Sequence, residues 1–439
     1  MKAFLLSIGD ELALGQTLDT NTQWLARQLS GNGCDVVAHL TVGDDQAAIE
    51  DAIAAAWAHR ESPELLLITG GLGPTDDDLT RQAIARAMGS ELVLNEQWLA
   101  QIREFFRQRG RAMPERNSIQ AMIPAGATMI WNHVGTAGGI AAVRTEGGRS
   151  MHLIAMPGVP KEMKPMFEQA VLPLVRQRAG GAAIVQRTLH TFGLGESAVA
   201  EMLGDLMQRG RNPSVGTTVS NNVVSLRING RFGSPEAAEA AVTETVAACR
   251  AKLGDLVYGQ DGQSLAEVVG TMLADSRSTV ATAESCTGGL LAKLLTDVSG
   301  ASAYFQQGFI TYSNAAKRAR LGVSENLIHV HGAVSEPVVL SMARGARRLA
   351  DSTYALAISG VAGPTGGTPA KPVGTVCIAL AHLPPPEGRA QRGSDREDEV
   401  SAYARTFNFP GDREMIRDRA AKMALAMLRF RLLGKPLPF

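Results

Sequence analysis

The chain has 439 residues, 45% of them hydrophobic and 20% charged, which is typical of folded globular proteins and excludes general disorder. Lys and Arg together number 43, and so do Asp and Glu, so no net positive charge favours binding to nucleic acid. One hydrophobic core seldom serves so long a chain, and we expect two to four domains. Abundant glycine with only 5% aromatic residues favours α/β domains with many tight turns.

The cysteines and the amino terminus indicate the compartment. The four cysteines, Cys34, Cys249, Cys286 and Cys377, have neither the spacing of a metal site nor that of a disulfide framework. The apolar run after Met1 is too short for the core of a signal peptide, and no stretch approaches the length of a membrane span. We therefore expect a cytoplasmic protein with no membrane partner.

The first 178 residues alternate between buried-strand and helix patterns. Strands are predicted at residues 3–8, 35–40, 65–69 and 153–156, and helices at residues 20–31, 46–59 and 162–178. This β-α-β-α-β order indicates a doubly wound parallel sheet, in which ligands bind at the carboxyl ends of the strands. Gly9-Asp10-Glu11 and the segment from Gly70 to Asp78 both follow predicted strands, so two polar loops should converge on one edge.

The pattern changes to a small α+β module after a break at Gly180-Gly181. Strands are predicted at residues 188–192 and 223–228, and helices at residues 197–207 and 235–253. Gly230-Arg231-Phe232-Gly233 matches the Gly-x-x-Gly spacing of RNA-gripping loops, but we interpret it as the turn that follows the strand at 223–228. We expect this module to be a spacer or a dimerisation element. The predicted domains span residues 1–178, 182–258 and 264–435.

The last third again alternates strands and helices, which predicts a third domain of α/β class. Helices are predicted at residues 265–274, 290–296 and 414–432, and strands at residues 279–283, 309–312, 354–358 and 375–381. Pro384 to Glu399, rich in proline and charge, is interpreted as a solvated loop.

Ser285 follows the strand at 279–283 and precedes a helix, where unpaired backbone N–H groups can hold a phosphate or an oxyanion. A serine nucleophile needs a base, and the nearest candidates downstream are Tyr312 and Lys317. A lysine beside a buried tyrosine can have its pKa lowered enough to accept a proton. The alternative interpretation is a helix-capping serine, a core tyrosine and a solvated lysine. Spacing alone favours that alternative.

Six segments, in order, resemble the C-terminal domain of the CinA family, the nicotinamide mononucleotide deamidases. They are Ala283–Gly289, Thr311–Asn314 with Lys317, Gly332–Glu336, Ser359–Pro364, Lys371–Val376 and Gly411–Arg413. The resemblance covers residues 264–432 and implies that Ser285, Tyr312 and Lys317 form the catalytic group. It implies conversion of nicotinamide mononucleotide to nicotinate mononucleotide and ammonia, with no metal or other cofactor.

The same resemblance predicts substrate-binding residues. Thr287, Gly288 and Gly289 would let the backbone approach the oxyanion or the 5′-phosphate. Gly360, Gly363 and Arg413 are candidates for the nucleotide end, because guanidinium suits phosphate. Cys286 is a rival nucleophile that we rank below Ser285 on family grounds.

The amino-terminal third resembles the CinA N-terminal domain through Gly9–Leu12, Asn21–Gln23, Gly70–Thr80 and Pro157–Glu162. That domain is similar to molybdopterin-binding domains, and some members are metal-dependent ADP-ribose pyrophosphatases. A Gly-rich turn beside carboxylates suits a diphosphate bridged by a divalent ion, here Mg, Mn or Co. The candidate diphosphate site is Asp10, Glu11, Gly70, Gly71, Gly73 and Thr75, with Asp77 and Asp78 as metal ligands. Alternatively, Asp76 to Asp78 complement a helix dipole.

Two departures from the family pattern bear on this second activity. Gly138 stands where the family has a proline, and Ile119 where it usually has a lysine. A lost cation beside a diphosphate weakens charge compensation, so the expected pyrophosphatase activity is in question.

The resemblance further implies a KH-like middle domain, nucleotide substrates as small-molecule partners and a homodimer. A non-catalytic accessory role in competence or DNA damage stays open. The balanced charge counts against direct binding of DNA.

Overall fold

The computed structural model describes residues 1–178, 183–220, 222–383 and 400–438. The predicted break at Gly180-Gly181 and the whole of the predicted loop from Pro384 to Glu399 lie outside these residues. Two compact units emerge: Met1–Gln186 with Asn229–Thr243, and Arg187–Ile228 with Glu244–Phe439. None of the described helices is both long enough and apolar enough to span a membrane.

The amino-terminal region contains eight strands and seven α-helices among the described residues. They are β1 (Lys2–Ile8), α1 (Asp10–Ala13), α2 (Thr20–Gly31), β2 (Asp35–Val42), α3 (Gln46–Ala58), β3 (Leu65–Thr69), α4 (Thr80–Met88), β4 (Leu92–Leu94), α5 (Glu96–Gln108), β5 (Met122–Pro124), β6 (Thr128–Ile130), β7 (Gly139–Glu146), β8 (Arg149–Met156), α6 (Pro160–Met166) and α7 (Leu172–Arg178). A 3₁₀-helix covers Glu115–Ala121, and a π-helical turn joins the last two helices.

Six of these strands form one sheet in the order β2-β1-β3-β8-β7-β6. The first four run parallel, which confirms the predicted doubly wound core, whereas β7 and β6 are antiparallel additions that the periodicity did not reveal. Alternate residues of β1 enter two cores: Phe4 and Leu6 pack on one face, Ala3 and Leu5 on the other. Helices therefore cover both faces of the sheet.

The carboxyl ends of β1 and β3 are neighbours, and the polar loops that follow them meet as predicted. Gly70 turns the chain after β3 with a φ of 102°, a conformation that favours glycine. A β-carbon at this position would collide with the main-chain oxygen of Ile8 at the end of β1. The close approach of the two loops therefore requires this glycine.

The middle module contains β9 (Ala183–Phe192), α8 (Glu196–Leu203), β10 (Ser214–Ser220), β11 (Val223–Phe232), α9 (Pro235–Leu253) and β12 (Val257–Gln260). Its sheet has the order β10-β11-β9-β12. The predicted turn at Gly230–Gly233 is wrong, because β11 continues through Phe232 and the chain turns only at Gly233-Ser234. Every second residue of this strand is buried as far as Gly230. The alternation therefore continues beyond Ile228, where the alternating apolar side chains end.

The carboxy-terminal region contains α10 (Leu265–Asp275), β13 (Val280–Glu284), α11 (Leu290–Thr296), β14 (Phe305–Ile310), α12 (Asn314–Leu321), α13 (Glu325–His331), α14 (Glu336–Leu349), β15 (Tyr354–Gly360), β16 (Thr375–His382), β17 (Ser401–Asn408) and α15 (Arg413–Leu432). The sheet order is β14-β13-β15-β16-β17. β13 is parallel to both of its neighbours, whereas β16 and β17 are antiparallel.

Helices cover both faces of this second α/β sheet. On one face α10, α11 and α15 pack on Val280, Leu356 and Ile358. On the other, α14 packs on small side chains such as Ala283 and Ala357. The predicted strand at 309–312 is displaced, because β14 ends at Ile310 and leaves Tyr312 in the loop before α12. β14 is a largely exposed edge strand. Its residues therefore lack the regular alternation of buried and exposed positions from which the ends of a strand are predicted.

Candidate active site

Ser285 is the first residue of the turn between β13 and α11. Its backbone N–H donates to the Ile358 carbonyl of the neighbouring strand at 3.0 Å, and the residue is 8% exposed. Gly288 and Gly289 close the turn with φ values of 60° and 94°, in the left-handed region that favours glycine. The helix cap is Gly289 rather than Ser285, which contradicts the helix-capping alternative for the serine.

Lys317 reaches Ser285 from the facing helix α12. Its Nζ donates to Ser285 Oγ at 3.0 Å and to the main-chain oxygens of Thr311 at 2.9 Å and Tyr312 at 3.3 Å. The lysine is only 1% exposed and has no ion pair among the described residues. Burial lowers the pKa of Lys317 from its usual value. The alternative of a solvated lysine is therefore wrong.

Tyr312 differs from the expectation of a buried ring. Its side chain is 59% exposed, and its hydroxyl accepts a hydrogen bond from Arg413 Nη2 at 3.2 Å. Only its carbonyl touches the lysine amine. The structure thus joins Ser285 directly to Lys317 and joins Tyr312 to the arginine at the start of α15.

Glu284 occupies the helix terminus that was expected to offer free donors. Its buried carboxylate accepts from the backbone N–H groups of Gly289 at 3.0 Å, Leu291 at 3.1 Å and Ala292 at 2.8 Å. The N–H groups of Gly288 and Leu290 donate to carbonyls within the turn. The expectation that the first turn of α11 would hold a phosphate or an oxyanion is therefore wrong, because a carboxylate already satisfies it.

Cys286 is buried beside the serine. It is 6% exposed, and burial raises the pKa of its thiol to about 12. The reactive species of a cysteine is the thiolate, which is scarce at neutral pH when the pKa is this high. The local environment therefore disfavours Cys286 as a nucleophile.

The predicted nucleotide-binding glycines have structural roles of their own. A β-carbon on Gly360 would meet Val376 and the main-chain oxygen of Thr375, so the pairing of β15 with β16 requires glycine there. A side chain at Gly363 would meet Val373. The carbonyl of Gly363 accepts from Arg413 Nη1 at 2.8 Å, which brings these two predicted residues together.

Arg417 is a residue of this site that the sequence did not indicate. Its Nη2 donates to the carbonyl of Thr287 at 2.7 Å, and the open side of Gly288 faces the same nitrogen. Thr287 is fully buried, and its hydroxyl has no hydrogen-bond partner among the described residues. Its spacing could have identified Arg417, because it lies four residues after the predicted Arg413, and residues four apart on a helix share a face.

The amino-terminal unit has a cavity of about 820 Å³ at the carboxyl edge of its sheet. Seven predicted residues line it: Glu11, Gly70, Gly71, Gly73, Thr75, Asp77 and Asp78. The eighth, Asp10, adjoins it through Asp44, because each of these two aspartates accepts the other's backbone N–H. Asp44 was not predicted, although it follows β2 at the same edge of the sheet.

Every charged side chain that the structure describes in the lining of this cavity is a carboxylate. Six contribute to it: Glu11, Asp19, Asp44, Asp77, Asp78 and Glu162. Over the described residues, no lysine, arginine or histidine does. Burial, with the charges of Asp10, Asp77 and Glu11, raises the pKa of Asp44. An anionic ligand would therefore meet repulsion here unless a cation accompanied it.

Asp78 holds the Gly-rich loop in shape. Its carboxylate accepts from the backbone N–H groups of Gly73 at 2.6 Å and Thr75 at 2.9 Å, and from the Thr75 hydroxyl at 2.5 Å. Asp77 is exposed. Among the described residues, no three His, Cys, Asp or Glu side chains gather to hold a metal ion. The assignment of Asp77 and Asp78 as metal ligands therefore stays a prediction.

The two departures from the family pattern lie close to this cavity. Ile119 belongs to the 3₁₀-helix whose next residue, Gln120, lines it. A side chain on Gly138 would collide with the Met129 sulfur and the Trp98 indole. Packing in this chain therefore explains the glycine at 138.

Three families match the chain in succession: "Probable molybdopterin binding domain" over residues 4–177, "Damage-inducible protein CinA KH domain" over 186–259 and "CinA C-terminal domain" over 262–432. The chain thus has a molybdopterin-binding-like, a KH-like and a CinA C-terminal domain, as predicted.

Relatives match the full length. A CinA-like protein of Geobacter metallireducens is 42% identical over 436 residues, with 99% of this chain and 100% of that protein covered. A CinA-like protein of Geobacter sulfurreducens is 41% identical over 435 residues, with the same coverage of 99% and 100%. Two crystal structures match part of the chain. The competence/damage inducible protein CihA from Agrobacterium tumefaciens is 37% identical and covers 38% of this chain and 93% of its own, with a TM-score of 0.34. A CinA superfamily protein from Klebsiella pneumoniae is 34% identical and covers 39% and 96%, with a TM-score of 0.34. The chain belongs to the CinA family.

Proposed function

We propose that the carboxy-terminal domain is an amidohydrolase that converts nicotinamide mononucleotide to nicotinate mononucleotide and ammonia. The observation that carries this proposal is the pair formed by Ser285 and Lys317. The lysine is buried without a carboxylate partner among the described residues, and its amine lies 3.0 Å from the serine hydroxyl. Burial favours the neutral amine, which is the form that can accept the serine proton.

In the proposed reaction Ser285 Oγ attacks the carboxamide carbon while its proton passes to Lys317 Nζ. The tetrahedral intermediate then collapses, and the lysine delivers that proton to the leaving nitrogen, which departs as ammonia. Water hydrolyses the resulting acyl-serine ester, with the lysine again accepting and returning a proton. This sequence releases the carboxylate product and restores the serine, so it requires no cofactor.

The oxyanion of the intermediate needs N–H donors near the serine. Over the described residues, the N–H groups of Cys286 and Thr287 form no hydrogen bond with another residue, whereas those further along the turn are occupied. We assign the oxyanion to these two groups. Tyr312, whose hydroxyl accepts a hydrogen bond from Arg413, is assigned to the nucleotide side of the site, where it orients the substrate.

The test compares Ser285→Ala with Cys286→Ala in the full chain, measuring ammonia release from nicotinamide mononucleotide. We expect Ser285→Ala to lose at least about 1,000-fold in kcat, as removal of an activated nucleophile does. Cys286→Ala should retain most of the activity. Full activity in Ser285→Ala together with loss in Cys286→Ala would reverse the role assignment. An inactive wild-type chain would refute the proposed function.

A second activity is proposed for the amino-terminal cavity: hydrolysis of a diphosphate such as ADP-ribose with a divalent cation. Oxygen ligands suit hard cations, which proteins often hold through one or two carboxylates while the substrate phosphates complete the coordination. The ion is assigned to Asp77, one of the two predicted ligands, and to Asp44 in the same lining, because Asp78 already accepts hydrogen bonds within the Gly-rich loop. The cation would neutralise the diphosphate and activate water, while the loop held by Asp78 binds the phosphate oxygens.

A further inference from the structure

Two arginines lie one turn apart at the start of α15 and both reach the loops around Ser285. Arg413 donates to the carbonyl of Gly363 and to the hydroxyl of Tyr312, 101 residues away in the chain. Arg417 donates to the carbonyl of Thr287, two residues after the nucleophile. Residues four apart on a helix share a face, so both guanidinium groups point toward the same region.

Neither guanidinium group is neutralised. Among the described residues, neither Arg413 nor Arg417 forms an ion pair with a carboxylate. Two neighbouring acids are engaged elsewhere: Asp412 caps α15 through the N–H of Met415, and Asp418 accepts from Lys422 at 2.8 Å. The protein contacts found for both arginines are neutral oxygens, although guanidinium binds charged oxygens more strongly.

Arg417 also retains unused donors. A guanidinium group has five N–H bonds, and this one directs a single nitrogen to Thr287. Its Nε is shielded from solvent and has no hydrogen-bond partner within the described chain. A β-carbon on Gly288 would lie 3.5 Å from Nη2. A donor-rich group thus lies against the turn that carries the nucleophile.

The other two positively charged or polarised groups at the turn, the amino terminus of α11 and Lys317, already have partners. Glu284 takes three N–H groups at the first turn of α11, so this helix terminus cannot also accept a phosphate. Lys317 is committed to Ser285 and to two carbonyls. The arginine pair therefore offers positive charge beside the serine turn that no carboxylate among the described residues neutralises.

We propose that Arg417, together with Arg413, binds the phosphate group of the substrate, and that Arg417 makes the enzyme select a nucleotide over the corresponding nucleoside. This inference rests on the proposed deamidase activity. It places the amide at Ser285 and the phosphate at α15, with the ribose between them. Thr287 connects the amide end of the site to the phosphate end. It lies two residues after Ser285, and its carbonyl accepts a hydrogen bond from Arg417.

The test measures kcat/KM of the full chain for nicotinamide mononucleotide and for nicotinamide riboside, which lacks the phosphate. Losing hydrogen bonds to a charged group should lower kcat/KM for the mononucleotide roughly 10- to 100-fold in Arg417→Gln. For the riboside, the same substitution should change it by less than about 3-fold, since no phosphate contact is lost. Arg417→Lys, which retains the charge, should recover part of the loss. Lys293→Gln removes an exposed cation of α11 that pairs with Asp297, and it should change neither value.

A parallel fall of activity on both substrates in Arg417→Gln would overturn the proposal, because it would assign Arg417 only to shaping the serine turn. Inorganic phosphate provides a second measurement. It should inhibit the wild type competitively with the mononucleotide and inhibit Arg417→Gln far less; equal inhibition would also overturn the proposal. If the wild-type chain releases no ammonia, the proposed function fails. Calorimetric binding of inorganic phosphate to wild type and Arg417→Gln then still decides the role of Arg417.

Discussion

At the scale of single residues, desolvation governs the chemistry around Ser285. Removing a side chain from water disfavours its charged form, so the same burial acts in opposite directions on an amine and on a thiol. It lowers the pKa of Lys317 and raises that of Cys286 to about 12. One environment thus favours a neutral base and suppresses the competing thiolate. This physical distinction between Ser285 and Cys286 could not be made from their types alone.

The lowered pKa of Lys317 predicts the pH dependence of the deamidase. A group with a lowered pKa loses its proton at a lower pH than free lysine, whose value is 10.5, so the active neutral form accumulates below that pH. We expect kcat/KM to rise with pH along one limb whose midpoint lies below 10.5 and then to level off. Nicotinamide riboside is the suitable substrate, since it has no phosphate that titrates.

If Cys286 were the nucleophile, kcat/KM would instead rise with pH along a limb whose midpoint lies near 12. Burial raises the pKa of its thiol to about 12. A rate that is flat with pH, or that rises only above 10.5, would contradict the assignment of Lys317 as the base. Lys293→Gln should reproduce the wild-type profile, because that lysine is exposed and paired with Asp297.

At the scale of secondary structure elements, the end of β13 and the start of α11 form one unit held by Glu284. The carboxylate accepts three backbone N–H groups of the following helix, which satisfies donors that would otherwise lack partners in a buried turn. The serine turn is therefore clamped from the protein interior. The hydrogen bonds that hold the turn come from the protein itself, and oxyanion binding requires such preorganisation.

Substituting Glu284→Gln should destabilise the chain and slow the reaction. The amide places an NH₂ group against N–H donors and removes the charge, so the free energy of unfolding should fall by about 2 kcal/mol. Urea unfolding measures this loss, and the kcat for deamidation should fall with it because the turn is less well held. Glu267→Gln is the matched control: that glutamate belongs to an exposed capping box on α10, and the loss should be smaller. Wild-type stability in Glu284→Gln would contradict the role of the clamp.

At the scale of the whole molecule, two α/β domains of similar design each have a candidate site beside glycine-rich turns that follow strands. The amino-terminal cavity has six carboxylates and, within the described residues, no cationic side chain in its lining. The site around Ser285 instead has a buried lysine and two arginines that pair with no carboxylate among the described residues. The two sites therefore differ in the charge that they offer to a phosphorylated ligand.

The charge of the amino-terminal cavity predicts strict dependence on a divalent cation. Hydrolysis of ADP-ribose should appear with Mg, Mn or Co and fall to background with a chelator, since the carboxylates repel an unaccompanied diphosphate. Product formation measured by chromatography checks this. Ser285→Ala should leave the activity unchanged, because that residue belongs to the other site. Turnover in the presence of chelator, or none with any of the three cations, would contradict the second proposed activity.

Much of the fold was predictable from local signals. The strand and helix patterns predicted the parallel core of the first sheet, and the helix at Pro235–Leu253 agrees with the sequence pattern at both ends. β14 was misplaced because an exposed edge strand has weak periodicity, and the end of β11 was missed because glycine interrupts its apolar residues. In these cases the pairing partner, rather than the local sequence, determines where the strand ends.

The sequence by itself determined much of the order of strands and helices, because periodicity is a local property, and its resemblance to a family singled out Ser285 and Lys317, which spacing alone did not. Only the tertiary structure decided which groups meet. It buried Lys317 against a serine 32 residues away, left Tyr312 exposed, used Glu284 to fill a helix terminus and brought Arg417 to a carbonyl 130 residues away. Such contacts depend on which helix covers which face of a sheet, and therefore on packing between elements that are distant in the chain.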